Sequence, residues 1–537
     1  MGRFPEHASW LVQGPPPERG IVAARHGLVA TSHPLATQAG LWMLRQGGNA
    51  VDAAVAAGAV LTVVEPSASH LGGDVFLLIA TPDGRVTAIN GSGAAPQAAR
   101  PDLFPDGLPQ RGVRAVCVPG CVDGWLTALE RFGRLPRATV LAPAIAYAEE
   151  GFPLSLRMAQ VIAQHADLLR TYPTSAAVFL PDGRPPAPGS LFRQPDLART
   201  LRQIAEGGRE AFYQGEIARE IAAFLRESGG LLDRADLAAH RTEVLPPIQT
   251  TYRGYTVYEQ PPVSQGFILL LMLNLLEGFD LGALGLNTAE TVHLMVEAKK
   301  LAFADRLAYA GDPAWVHWPL DALLTKAFAA ERRRGIDPAR AREPVPDPDP
   351  WRFGRDTTYL CAADREGYAV SFIQSIFHAF GCGVVAGRTG VLLNNRLFGF
   401  SLDPRSPNCL APGKRPIHTL NTYLVARDGR PFLVGGTPGA DFQVQTNLQV
   451  LCNVLDFGLN IQAAVEAPRW LHQADNTLFL EGRLAALAEP LRARGHRVAV
   501  GPDWGASGRA QLIMIHPDTG VLLGASDPRW DGGAAGW

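Results

Sequence analysis

The stretch "WRFGRDTTYLCAAD", Trp351–Asp364, continued by "REGYAVSFIQSI", Arg365–Ile376, decides the fold. Alternation places Thr357, Tyr359 and Cys361 on one face of a strand over Thr357–Ala363, and Thr358, Leu360 and Ala362 on the other. Arg365-Glu366-Gly367 reads as a turn, and Tyr368–Ile376 as the returning strand. The run into this hairpin, "GIDPARAREPVPDPDPWRFGRD", residues 335–356, holds five prolines among many charges. Such a segment buries too little apolar surface to offset its ordering entropy, which predicts an exposed, mobile connector over 335–356. A connector that ends at Thr357 is what a cut between Asp356 and Thr357 would need.

That cut would have a chemical consequence. A threonine hydroxyl is a weak nucleophile, but a free α-amine on the same residue can take its proton. An α-amine titrates near ~8, close to working pH. Before cleavage there is only a neutral amide, so processing must come first. The same Thr-Thr pair is also an ordinary strand start, since β-branched residues favour strands. A second candidate is "GGTPGADFQ", Gly435–Gln443, a glycine-rich turn at a helix start. Its N–H groups could hold an oxyanion, or it could simply join strand to helix.

Outward from these motifs the chain is ordinary for a packed protein. Of 537 residues, 47% are hydrophobic and 19% charged, enough for a sizeable core. The 49 basic and 51 acidic residues leave a net charge of −2, which favours neither nucleic acid nor an anionic membrane. The apolar windows Ala50–Val64 and Gly266–Phe279 are shorter than a span of ~20 residues, and polar residues (Asp52; Asn274, Glu277) interrupt them. Both read as buried helices. "GGDVFLLIATPDGRVTAING", Gly72–Gly91, reads as two strands about a Pro-Asp-Gly turn, and helical patterns dominate from Gly124 to Ala330. The first residues lack an apolar signal region and the six cysteines are scattered, so a cytoplasmic, reducing location is expected. "GCGVVAG", Gly381–Gly387, fits a dinucleotide fingerprint, but a turn and strand rather than a helix follow it, so that reading is rejected. His293 and Glu297 lie one helical turn apart with no third ligand in view, and read as a helix face rather than a metal site.

Taken together, "QGGNAVDAAVAAGAVLTVVEP", "LGGDVFLL", "VPGCVDGW", "EAKKLAFADR", "DTTYLCAADREGYAVS", "GCGVVAGRTGVLLNN", "APGKRP", "GGTPGA", "EAPRW" and "GASDPRWDGGAAG" resemble the γ-glutamyltransferase family of N-terminal-nucleophile hydrolases. The resemblance runs from about Gly27 to the end of the chain. It implies an α+β fold, a four-layer αββα sandwich from one self-cleaved precursor. Residues 1–356 would form a large subunit and 357–537 a small one, held as a heterodimer. Thr357 matches the nucleophile. Ser375 matches a second hydroxyl that bonds to it, and Gly439 and Ala440 match the oxyanion pair. Ala440 replaces a glycine, which requires a negative φ.

The departures bear on substrate. Ser92 stands where γ-glutamyl enzymes place an arginine, Phe377 at an asparagine position, Gly399 at an aspartate position, and His418 and Thr419 at two serines. Serine cannot supply a guanidinium's charge to a carboxylate, nor glycine a counter-ion to an ammonium. "SFIQSIFHAFGCGVV" with "IHTLN" looks instead like the oxamate amidohydrolase branch. That branch implies a small carboxylate-bearing amide as substrate, with His378, Arg396 and His418 as anion contacts and no metal or organic cofactor. A γ-glutamyl hydrolase with a rebuilt pocket, and a non-cleaving binding scaffold, are the alternatives; further oligomerisation is left open.

Overall fold

Two antiparallel sheets grow from the alternation in the central hairpin. The computed structural model describes residues 18–344 and 356–537, so the later part of the connector lies outside the described residues. Thr358–Asp364 pairs with Ala369–Ser375 on one side and Gly27–Thr31 on the other. Gly533–Gly536, Asp74–Ala80, Val86–Gly91 and Glu243–Leu245 complete a seven-stranded sheet. The second sheet also has seven strands, ordered Val22–Ala24, Leu522–Ser526, Gln511–Ile515, Arg430–Gly436, Tyr423–Arg427, Tyr255–Glu259 and Ile248–Tyr252.

The period of two sorts the hairpin's side chains between two cores. Tyr359, Cys361 and Ala363 face inward and meet Leu424, Val434 and Ile513 of the second sheet. Leu360 and Ala362 face outward into a core shared with the helices Pro34–Arg45 and Ala50–Val64. The second sheet's other face packs on Gly266–Leu276, Ala289–Tyr309 and Phe442–Leu455. The result is the αββα sandwich that the resemblance implied. The sheets approach closely at Gly436, where a Cβ would lie 2.4 Å from the Tyr359 ring.

Both apolar windows are buried helices. Every residue of Ala50–Val64 is buried, as expected of a helix apolar all round. Asn49 caps it, and Asp52 accepts N–H bonds from Asn49 (2.9 Å), Arg134 (3.1 Å) and Leu135 (3.2 Å), which lets an acid sit inside. The second helix ends at Leu276, not Phe279, and its Asn274 accepts from the Thr250 hydroxyl at 2.7 Å. No helix among the described residues is long and apolar enough to cross a membrane.

Residues 335–344 of the connector lie among the described residues. Ile336 is buried, Ala341 N–H donates to Arg494 O at 2.7 Å, and Arg342 N–H donates to Glu297 at 3.2 Å. Lys300 Nζ returns a bond to Arg342 O at 2.7 Å. The buried polar groups of Ala289–Tyr309 supply the partners that anchor this backbone, although most of its side chains stay exposed.

Candidate active site

The hairpin brings Thr357 to the end of a central strand, 2% exposed. In the uncut chain its Oγ1 lies 2.7 Å from the Asp356 carbonyl oxygen and 3.2 Å from Ser375 Oγ. Ser375 comes from the neighbouring strand and donates to the same carbonyl at 2.8 Å. Two hydroxyls therefore converge on the peptide carbonyl between Asp356 and Thr357. Phe377 N–H donates to Ser375 Oγ at 2.8 Å, and Asp356 N–H donates to Phe377 O at 3.3 Å. Burial pushes the Asp356 side-chain carboxyl above the usual range, opposed by Arg509, His165 and Arg111.

Gly439 and Ala440 form the turn between Arg430–Gly436 and Phe442–Leu455. Ala440 lines a cavity of about 410 Å³ together with Asp356, Arg111 and His378. Ala440 has φ +53°, which overturns the expected negative value. The carbonyls of Gly439 and Ala440 accept from Phe442 N–H at 2.9 Å and Gln443 N–H at 3.0 Å, and neighbouring side chains hold the turn in place. Gln265 Nε2 donates to Ala440 O (3.3 Å) and Thr419 O (3.0 Å), and Arg306 Nη1 donates to Gln265 Oε1 at 3.0 Å. The sequence reading quoted Arg306 within "EAKKLAFADR" without giving it a role, and it missed Gln265.

The candidate substrate-pocket residues divide. Ser92 is fully buried, but its hydroxyl proton goes to Asn90 Oδ1 at 2.6 Å. His378 is held from the side, with Asn395 Nδ2 2.7 Å from its Nδ1 and Gln110 Nε2 3.2 Å from its Nε2. Thr419 lends its carbonyl to Gln265 and to Asn421 Nδ2 at 2.9 Å. Arg396 is fully buried, and its Nε donates to Asp74 Oδ2 at 3.0 Å. Among the described residues, its Nη1 and Nη2 have no hydrogen-bond partner. Neither ring nitrogen of the buried His418 has one either. Asp74 and Phe76 lie on the same face of one strand; the first holds Arg396, and the second packs on His418 at 5.1 Å. The two orphaned groups are thus neighbours.

Electrostatics shape this corner. Burial pushes Asp74 up to about 6 even though Arg396 pulls the other way. Burial and the Arg396 and Arg415 guanidiniums drive His418 well below its ordinary value, so it is neutral at pH 7. Phe377 covers the guanidinium, its ring centroid 4.5 Å from Arg396 Cζ. It does so at φ +85°, a conformation that costs a bulky residue about 1–3 kcal/mol. A Cβ on Gly399 would lie 3.6 Å from that ring, at ordinary packing distance.

His293 and Glu297 do gain a third neighbour, His496, distant in sequence. The candidate ligand atoms lie within 4.8 Å of one another. Glu297 is already paired with Lys300 at 2.8 Å, and Lys300 and Arg494 both disfavour charge on His496. That field opposes a dication.

Comparison with known proteins agrees with this geometry. The family model described as Gamma-glutamyltranspeptidase matches residues 36–537. The chain is 40% identical over 524 residues to the glutathione hydrolase-like YwrD proenzyme of Bacillus subtilis, covering 95% of this chain and 98% of that protein. It is 39% identical over 530 residues to the oxamate amidohydrolase proenzyme of Klebsiella pneumoniae, covering 95% and 98%. The crystal structure of cephalosporin acylase from Bacillus halodurans superposes with a TM-score of 0.92 at 40% identity, over 100% of this chain and 99% of that one.

Proposed function

The chain belongs to the gamma-glutamyltranspeptidase family and is an N-terminal-nucleophile hydrolase, and on that premise we propose that it cleaves itself before Thr357 and then hydrolyses small carboxylate-bearing amides. In the first reaction Thr357 Oγ attacks the Asp356 carbonyl carbon, and the peptide C–N bond breaks as the acyl group moves from nitrogen to oxygen. Water hydrolyses that ester, leaving an Asp356 carboxylate and a free Thr357 amine. Residues 1–356 and 357–537 then stay together, because Thr358–Asp364 is laddered between strands from both fragments.

In turnover the Thr357 amine takes the hydroxyl proton as Oγ attacks the substrate amide, and it returns that proton to the leaving nitrogen. The N–H groups of Gly439 and Ala440 hold the oxyanion. Water then releases the acyl group as its acid. The observation that carries the substrate reading is the buried corner where Arg396 Nη1 and Nη2 and neutral His418 face no partner. Each unsatisfied donor costs about 1–3 kcal/mol, and a substrate carboxylate would accept from all of them. Ser92 and Gly399, by contrast, cannot clamp an amino acid's two charges. The six free thiols suit a reducing, cytoplasmic setting.

The test has two parts. Intact mass should show two fragments for the wild type and one chain for Thr357→Ala. A single chain in both would move the protein to the binding-scaffold reading. Ammonia release from oxamate should then exceed turnover of a γ-glutamyl anilide. The reverse order would restore the γ-glutamyl reading.

A further inference from the structure

Glu65 and Arg509 meet beside the scissile peptide without taking part in the chemistry above. Glu65 follows the helix Ala50–Val64 and is 2% exposed. Its Oε2 accepts from the Thr358 hydroxyl at 3.1 Å and from Ser32 Oγ at 2.5 Å, and its Oε1 accepts from Trp530 Nε1 at 2.7 Å. Arg509 lies on the other face of Trp530's partnership, its Cζ 3.2 Å from the indole centroid. Its backbone N–H is tied to Thr437 Oγ1 at 2.8 Å, one turn from the oxyanion pair. Both Glu65 and the Asp356 carboxylate attract this guanidinium. One carboxylate, bonded to Thr358, and one guanidinium, attracted by Asp356, therefore lie next to the two residues that flank the new amine.

We propose that Glu65 and Arg509 are opposed positioning residues that set the basicity of the Thr357 α-amine once Asp356 has been cut away. The inference rests on Thr357 being the new terminus. Glu65 reaches the amine's neighbour Thr358 and favours the ammonium, while Arg509 disfavours it. A general base works best when its pKa lies near working pH, and two opposite charges hold it there. The other charges nearby leave this balance to them. Arg157 pairs with Asp531 at 3.1 Å, and burial keeps His33 on the neutral side. Arg111 and His165 act on Asp356 from across the cavity.

The small fragment offers a clean readout, because residues 357–537 contain one lysine, Lys414, besides the new terminus. The rate of carbamylation of Thr357 by cyanate, followed by fragment mass against pH, gives the amine's midpoint without any substrate. Glu65→Gln should lower that midpoint by about one pH unit, and Arg509→Gln should raise it by about one. A purely structural role would move both in one direction or neither. Unmoved midpoints, or shifts of the same sign, would overturn the proposal. If only one variant is cleaved, its sign decides. If neither is cleaved, the couple acts on the cut and the proposal as stated fails. A wild type with no small fragment would instead remove the Thr357 reading itself.

Discussion

Replacing Arg396 by lysine separates recognition from chemistry. Lysine keeps a positive charge for Asp74, which matters because breaking a buried pair costs about 3–5 kcal/mol. It removes the planar fork and with it the two orphaned Nη groups. A charge-assisted hydrogen bond contributes about 1.5–3 kcal/mol, so losing two removes at least about 3 kcal/mol of binding to a substrate carboxylate. At 1.36 kcal/mol per decade that is about 10²-fold in kcat/KM for oxamate. Oxalate, the product of that hydrolysis, should lose affinity by a similar factor in calorimetry. Intact mass should still show complete cleavage, since the charges acting on Asp356 are Arg509, His165 and Arg111 rather than Arg396. An Arg396→Lys enzyme within about threefold of wild type on oxamate, or one that no longer matures, would refute the assignment of this corner to the substrate carboxylate.

Ala440→Gly should stabilise the uncut Thr357→Ala chain by about 1 kcal/mol in denaturant unfolding, because an alanine at φ +53° carries left-handed strain that glycine lacks. An unchanged midpoint would mean the turn relaxes in solution. Asp74 predicts a pH effect on binding. Its carboxyl is pushed up to about 6, so below that pH it is protonated and leaves the Arg396 charge uncancelled. Oxalate should therefore bind more tightly at pH 5 than at pH 7, with an apparent midpoint near 6 that disappears in Asp74→Asn. The same shift makes the folded state bind a proton that the unfolded state has lost. Asp74's contribution to stability therefore falls as pH rises from about 4 to 6. Ser375→Ala should slow self-cleavage by about tenfold or more, since it removes one of two hydroxyls on the scissile carbonyl. A time course of fragment mass after synthesis reads that rate.

What was legible in the sequence is what local spacing encodes. Alternation through Tyr359, Cys361 and Leu360 assigned both faces of the central strand before any contact was known. The apolar run Ala50–Val64 read as a buried helix with the same bounds the structure gives it. Motif order placed Thr357, Ser375 and the glycine-rich turn. What escaped was set by long-range contact. Ser92 looked available, but Asn90, two residues away, holds its proton. His496 joins His293 across 203 positions, and no periodicity links them. Residues 335–344 read as solvated from their prolines and charges, yet a helix with its own buried polar groups anchors their backbone. The sign of φ at Ala440 depends on what Gln265 and Arg306 hold in place, and composition carries no trace of that.

On the proposed reading the uncut peptide is the site's first substrate, and its arrangement would let one nucleophile serve two specificities. The hydroxyls of Thr357 and Ser375 address the Asp356 carbonyl, and any later amide must bring its carbonyl to the same Oγ. The side chains recognised on either occasion are different. Asp356 is held among Arg509, His165 and Arg111, whereas Arg396 and His418 form a separate buried corner behind Phe377. On the proposed reading, cleavage depends on the first set and substrate choice on the second. On that reading, changes at Ser92, Gly399 and His418 redirect the enzyme toward a new acyl group without disturbing maturation. Relatives that match this chain along its length, from a glutathione hydrolase-like proenzyme to an oxamate amidohydrolase proenzyme, fit that division.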